Sequence, residues 1–185
     1  MLFLSVNLSV GFATSYLYDH IPDYQRKRIA VFIDPTKDPQ SAGYNVIQSK
    51  VAIGSGGLTG KGYLKGSQTQ LRFIPEQWTD FIFCVPAEEF GFLGAAAVLL
   101  LYGLIFLRGL KTVFVHESRF ASLMCLGIIT TFTLHVFVNV GMTLGIIPVI
   151  GIPLPFLSYG GSSFLTSAAM AGILLHSHAY RTGLE

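Results

Sequence analysis

Apolar and polar positions divide the chain into four apolar stretches joined by one long and two short polar connections. Met1 to Leu17 is apolar with small polar interruptions at Ser5, Asn7, Ser9, Thr14 and Ser15. It is at the short limit for a spanning helix. It lacks a basic leading segment and a small-residue cleavage site, which argues against a signal peptide, so it reads as the outer part of a helix whose beginning is missing. Phe81 to Leu107 is the second stretch, interrupted by Pro86, Glu88 and Glu89. Phe120 to Ile147 is the third, and the fourth opens with Leu157 and the run Ser158-Tyr159-Gly160-Gly161-Ser162-Ser163. The pattern predicts an all-α fold, a polytopic transmembrane helix bundle with spans at 1–17, 81–107, 120–147 and 157–178. Its connections are 18–80, 108–119 and 148–156, followed by a tail at 179–185.

Charge sharpens this division. Only 12% of the 185 residues are charged and 51% are hydrophobic, against roughly 25% charged in a soluble domain. Eight of the twelve Lys/Arg and six of the ten Asp/Glu lie between Asp19 and Asp80, as in a membrane protein with one large aqueous loop. A net charge of +2 gives no footing for nucleic acid. Cys84 and Cys125 sit inside apolar stretches and make neither a disulfide framework nor a metal-ligand spacing, so they read as core residues. Arg108, Lys111 and Arg119 lie in one short connection and Arg181 near the C-terminus, whereas 148–156 is uncharged. The excess of basic residues in short cytoplasmic loops therefore puts 108–119 and the C-terminus in the cytoplasm, and 148–156 and 18–80 outside. The eight basic residues of 18–80 do not oppose this, since long loops escape the rule.

The long connection is not a linker. It contains Val31-Phe32-Ile33, Tyr44-Asn45-Val46-Ile47 and Val51-Ala52-Ile53 between the turn formers Asp34-Pro35, Asp38-Pro39 and the glycine-dense segment 54–62. It reads as a layer folded on the membrane surface, with Tyr44, Tyr63 and Trp78 as interfacial anchors. The glycine segment fails the phosphate-loop pattern, because Ser55 and Gly62 stand where glycine and Ser/Thr are needed around Gly60-Lys61, and it fails the dinucleotide pattern at Thr59. Two readings stay open: an anion nest of backbone N–H groups beside Lys50, Lys61 and Lys65, or tight turns with solvated lysines.

Asp80 begins the second apolar stretch behind Thr79, a candidate helix N-cap, at the water–lipid boundary. On a continuous helix Glu88 lies about 12 Å further along and about 80° around, inside the hydrocarbon, where a carboxylate is costly and marks a site. Glu89 points elsewhere, and Pro86 is expected to free the carbonyl of Ile82 and kink the span. Ala87, Gly91 and Ala95 form a stripe of small residues that reads as a packing face. His135 and Asn139, one turn apart on the third span, read as interhelical hydrogen-bonding residues.

Several of these runs together, Asp34-Pro35-Thr36-Lys37-Asp38-Pro39, Gln48-Ser49-Lys50, Ala52-Ile53-Gly54-Ser55-Gly56-Gly57, Gly60-Lys61-Gly62, Thr79-Asp80-Phe81-Ile82-Phe83 and Ala87-Glu88-Glu89-Phe90-Gly91, resemble the SEDS family (shape, elongation, division and sporulation proteins). Val138-Asn139-Val140-Gly141-Met142 and the run from Pro153 to Ser162 continue the resemblance, which extends from Asp23 to about Gly172. The paired Asp-Pro steps and Gly-Lys-Gly are more similar to the rod-shape type than to the division type. Trp78 stands where the family commonly has His, and Pro86 is unusual. Family members have about ten spans and this chain resembles the last four, so a fragment is expected.

The resemblance implies peptidoglycan glycosyltransfer: lipid II molecules joined outside the bacterial cytoplasmic (inner) membrane into glycan strands during elongation, with release of undecaprenyl pyrophosphate. It implies Asp80 as catalytic residue, fitted to act as general base on the acceptor hydroxyl. Lys50 and Lys61, with Glu88 and Ser158, are the expected substrate-binding residues, and a divalent cation (Mg or Mn) is a further candidate for neutralising the leaving pyrophosphate. Implied partners are a class B penicillin-binding protein (a transpeptidase), other membrane proteins of the elongation complex, and membrane lipid. Two readings from other classes are a lipid-linked precursor flippase, which membrane-buried Glu88 and Glu89 would suit, and a non-catalytic scaffold.

Overall fold

A computed structural model describes residues 22–38 and 42–180. The predicted span 1–17 lies outside them, as does most of the tail. The described residues form helices joined by turns and irregular segments, with no strand among them: α1 (Asp23–Ile33), a single 3-10 turn (Pro35–Lys37), α2 (Ala42–Gly56), the one-turn α3 (Ser67–Gln70), α4 (Cys84–Glu89), α5 (Gly91–Val115), α6 (Arg119–Thr143) and α7 (Gly161–Ala179).

Within the connection 18–80 the described residues form three helices and a 3-10 turn, where the sequence showed only apolar runs between turn formers. α1 starts after Pro22 with Asp23 in its first turn, where a carboxylate opposes the helix dipole. It stops at Asp34, whose backbone is held extended by the following proline. The Asp34 carboxylate then accepts from Thr36 N at 3.1 Å and starts the next turn. α2 runs through Gly54-Ser55-Gly56, so the first half of the glycine segment is helix. Its core residues Val46 and Ala52 pack with Ile74, Phe81 and Cys84. Ser49, fully buried, donates to the Thr143 carbonyl at 2.9 Å and fastens α2 to the end of α6.

The second predicted span, 81–107, is corrected. Residues 75–83 form turns and the long helix begins only at Gly91. The break is not at Pro86. That proline is the third residue of α4, where a first-turn N–H has no helical partner to lose. The Ile82 carbonyl, expected to be freed, accepts from Val85 N at 3.1 Å. The chain bends instead at Phe90–Gly91, with Gly91 at φ 65°. A side chain on Gly91 would collide with the Leu58–Gly60 backbone, so glycine is required by both conformation and contact.

α5 and α6 are joined through His116–Ser118 and form an antiparallel pair, in which Ile129 packs against Gly109 so closely that a Cβ there would collide with it. Both are long and apolar enough to cross a membrane, yet only 11% and 28% of their most apolar stretches are buried. An apolar core helix of a soluble domain would be mostly covered. Leu100, Leu104, Leu107 and Phe114 of α5 and Phe120, Leu123 and Phe137 of α6 instead face outward, as lipid-facing helices do. The protein is an integral membrane protein. α7, which packs on both, starts four residues later than predicted because Pro153, Pro155 and Gly160 keep the preceding segment irregular. It does not meet the same test of length and apolarity. Thr112 Oγ1 and His178 Nδ1, 2.9 Å apart, link α5 to the last turn of α7.

Candidate active site

Asp80 lies in the turn run between α3 and α4, and three donors hold that run by its carbonyls. Tyr159 N donates to the Trp78 carbonyl at 2.7 Å, Ser158 Oγ to the Thr79 carbonyl at 2.6 Å, and Asn139 Nδ2 to the Asp80 carbonyl at 2.9 Å. Three successive carbonyls are thus taken by α6 and the α6–α7 connection. From within the turn, the amides of Thr79, Asp80 and Phe81 all converge on the Glu76 carbonyl. Phe81, Ile82, Phe83 and Cys84 follow, all buried. The Cys84 thiol is pushed up to about 12 by burial and the nearby Glu88 charge, as befits a core residue. Backbone on one side and core on the other leave Asp80 with a fixed main chain and a half-buried carboxylate.

That carboxylate lies against Gly151, where an added Cβ would come within 3.2 Å of Asp80 Oδ2 at a backbone φ of 83°. No group among the described residues donates a hydrogen bond to it. Burial pushes its pKa above the ordinary aspartate value, the Glu76 charge pushes the same way, and the Arg28 charge opposes them. Such a carboxylate is positioned, accessible and more basic than a surface one, which suits it to accept a proton.

Ser158, expected among the substrate-binding residues, is nearly buried. Its hydroxyl is committed on both sides, donating to Thr79 and accepting from Leu154 N at 2.7 Å. Its action on the site runs through the backbone that carries Asp80.

Lys50 and Lys61 part company. Lys50, exposed on α2, lines a narrow cleft with Arg28, Val149 and Gly145, beside the segment that backs Asp80. Lys61 is ion-paired with Glu88 at 2.7 Å, and its amine also donates to Ser67 Oγ at 2.8 Å. Glu88, fully buried, accepts in addition from the amides of Gln68 at 3.0 Å and Thr69 at 2.9 Å. Burial alone would raise its pKa, but Lys61 and the two amides outweigh it and hold the carboxyl below the ordinary glutamate range. Glu88 therefore faces the 61–70 segment and not hydrocarbon. The helical rise and angle that placed it relative to Asp80 do not apply, because no helix joins the two residues.

The anion-nest reading of the glycine segment is also corrected. Gly60 N donates to Gly56, Lys61 N to Glu88 and Gly62 N to Glu89, at 2.8, 3.1 and 2.9 Å, so these amides are already bonded to carbonyls. The glycines serve close approach: a Cβ on Gly60 would strike the Glu89 carbonyl, and one on Gly56 the Ala87 carbonyl. The predicted small-residue stripe, Ala87, Gly91 and Ala95, lines an apolar groove of about 570 Å³.

Asn139 is the residue that sequence reasoning underrated. It is fully buried, and its amide nitrogen donates to Asp80 and also to the Ile152 carbonyl at 2.8 Å. It therefore couples a long helix to both segments that flank the carboxylate. The run Val138 to Met142 carried the signal, but an asparagine in an apolar helix reads equally well as helix–helix glue. His135, paired with it in the sequence reading, lines a separate cavity of about 240 Å³ between α6 and α7 with Ser162, Ser163 and Thr166. Asn139→Leu is expected to leave two carbonyls without donors and to lower stability by about 2 kcal/mol. Thermal unfolding in detergent checks this, and an unchanged midpoint would remove Asn139 from the clamp.

The FtsW/RodA/SpoVE family of cell cycle proteins matches residues 1–183. Peptidoglycan glycosyltransferase MrdB of Escherichia coli K12 is 49% identical over 163 residues, covering 88% of this chain and 44% of that protein. Peptidoglycan glycosyltransferase RodA of Treponema pallidum is 44% identical over 173 residues, covering 93% and 40%. Among solved structures, a chain of a peptidoglycan synthase complex, studied for the structural coordination of polymerization and crosslinking, superposes with a TM-score of 0.74 at 30% identity, over 99% of this chain and 50% of that one. The chain spans less than half the length of the curated relatives it matches.

Proposed function

The chain belongs to the FtsW/RodA/SpoVE family of cell cycle proteins, and on that premise we propose that the protein polymerises lipid II into glycan strands as a peptidoglycan glycosyltransferase of cell elongation. The observation that carries this reading is Asp80, a raised-pKa carboxylate whose backbone is clamped at three successive carbonyls while its oxygens stay open. In the proposed reaction the carboxylate takes the proton of the acceptor GlcNAc 4-hydroxyl as that oxygen attacks the donor's anomeric carbon. The bond from that carbon to the diphosphate breaks, undecaprenyl pyrophosphate leaves with the electron pair, and the configuration inverts. Lys50, exposed beside this segment, is the proposed cation for the departing diphosphate. Lys61 and Glu88 are assigned to holding the 61–70 segment, and Ser158 and Asn139 to holding Asp80.

Among the described residues no three His, Cys, Asp or Glu side chains come together as a metal site, and no step of the proposed reaction is routed through Mg or Mn.

The proposed setting is the bacterial inner membrane, with four spans in this part of the protein, α1–α3 outside and the C-terminus in the cytoplasm. Arg108 and Lys111 in the last turns of α5, Arg119 at the start of α6 and Arg181 near the C-terminus support that orientation. A class B penicillin-binding protein is the proposed partner, in keeping with the coordination of polymerization and crosslinking studied in the related complex.

The test is direct. The protein as its native gene encodes it, purified from membranes and given lipid II, should release undecaprenyl pyrophosphate and form β-linked strands. Transfer of intact lipid II between the leaflets of vesicles without strand formation would overturn the reading in favour of transport.

A further inference from the structure

We infer that Arg28 is a positioning residue for the proposed base, tethering the α6–α7 connection to α1 and setting a positive charge beside Asp80. The inference rests on the reading of Asp80 as base. Arg28 Nη1 donates to the Val149 carbonyl at 2.6 Å. Its guanidinium lies over the ring of Tyr24, one turn earlier in α1, at 5.6 Å from the centroid. The head group is thereby fixed from two directions. Val149 stands two residues before Gly151, the residue against the Asp80 carboxylate, so the tether acts on the wall of the site.

The connection itself, residues 144–160, carries no charge, so it cannot balance Asp80. The charges that act on that carboxylate are Glu76 from its own turn and Arg28 from α1, and Gly151 of the connection lies against it; neutral Asn139 of α6 and Ser158 of the connection bond the main chain of its turn, and Lys50 of α2 shares a cleft with Arg28. Burial and Glu76 disfavour the ionised carboxylate, and Arg28 is the charge that opposes them. A general base must be ionised to work. The cleft between Arg28 and Lys50 encloses about 10 Å³, room for about one water molecule. In this arrangement Arg28 acts through Val149 and Asp80, not as the wall of an open ligand pocket. Within the run Arg26-Lys27-Arg28 the sequence offers no reason to single it out.

The test is the pH dependence of lipid II polymerisation by the membrane-purified protein carrying Arg28→Gln, Arg28→Met or Arg28→Lys. The two neutral variants should move the acidic limb of kcat/KM upward by roughly half to one pH unit and lower kcat about tenfold, with KM changed less than twofold. Arg28→Met keeps an apolar stem where Arg28→Gln fails to accumulate. Arg28→Lys should return the limb to its wild-type position while recovering only part of kcat, since one ammonium cannot reproduce the planar fork. A merely structural arginine would lower the rate equally at every pH, and that result would overturn the inference. Asp80→Asn run in parallel separates the two readings. If it keeps wild-type turnover, the base assignment fails. If it is inactive and the limb of the neutral Arg28 variants does not move, the Arg28 role alone fails.

Discussion

Asp80→Asn should abolish glycan polymerisation, by at least about 10²–10⁴-fold, in a protein that accumulates normally and unfolds at or above the wild-type temperature. The two halves of this expectation have one cause. The pKa of Asp80 is raised by burial and then by Glu76, against the pull of Arg28. A group whose folded pKa exceeds its unfolded value binds its proton more tightly in the fold, so the stability it contributes is present at low pH. That stability is lost as pH rises from the ordinary aspartate value, 3.8, through the higher folded one. At neutral pH the ionised carboxylate therefore weighs against the fold. Asparagine has nearly the same shape, keeps the backbone that Asn139 and Ser158 hold, and carries no charge. Activity goes because an amide cannot accept the acceptor's proton. Polymerisation of lipid II and thermal unfolding, measured on one preparation, check both halves. Wild-type turnover by the variant would sink the assignment of Asp80 as base.

The second large effect belongs to stability. Glu88→Ala should cost about 3 kcal/mol, at the low end for breaking a buried ion pair because Lys61 remains 26% exposed and can rehydrate. The loss includes the acceptor for the Gln68 and Thr69 amides, which stay behind at the start of α3. The sign of the pH dependence is opposite to that of Asp80. The folded pKa of Glu88 lies below its ordinary value of 4.5, so its contribution is complete above that value and is lost as pH falls through the lower folded one. Wild type should therefore lose stability on acidification through that window, and Glu88→Ala should lose less. Midpoints of thermal unfolding in detergent at pH 7 and at pH 4 measure both effects. Equal midpoints for variant and wild type at pH 7 would mean the ion pair does not hold the 61–70 segment. The double variant Lys61→Met with Glu88→Leu should recover part of the loss, since an apolar pair leaves no buried charge alone.

What was legible in the sequence follows from interactions that act over short distances. Apolar runs report on burial or lipid contact residue by residue, so two long helices could be read from composition, with α6 beginning and ending close to its apolar run. Proline and glycine act on their own backbone, so the extended residue Asp34 and the irregular approach to α7 were also readable in principle. Pro86 shows the limit of that reading. Its effect depends on its place within a helix, and α4 begins only two residues before it, at Cys84. The helix start is set by packing of Phe81 and Ile82 into two different clusters, which no local signal encodes.

The site divides in the same way. The sequence by itself determined that a carboxylate sits at the end of the charged segment, and the matched runs singled out Asp80, Glu88 and Lys61 as a set. Only the tertiary structure decided that Lys61 and Glu88 neutralise each other, 27 residues apart in the chain. It likewise decided that Asn139 and Ser158 grip the Asp80 segment from 59 and 79 residues away, and that Arg28 reaches Val149 across 121. The physical reason is that a charge or a hydrogen-bond donor acts on whatever the fold brings within a few ångströms. Residue type shows that such a group needs a partner, and the packing of α1, α2 and α6 around one turn determines which partner it meets.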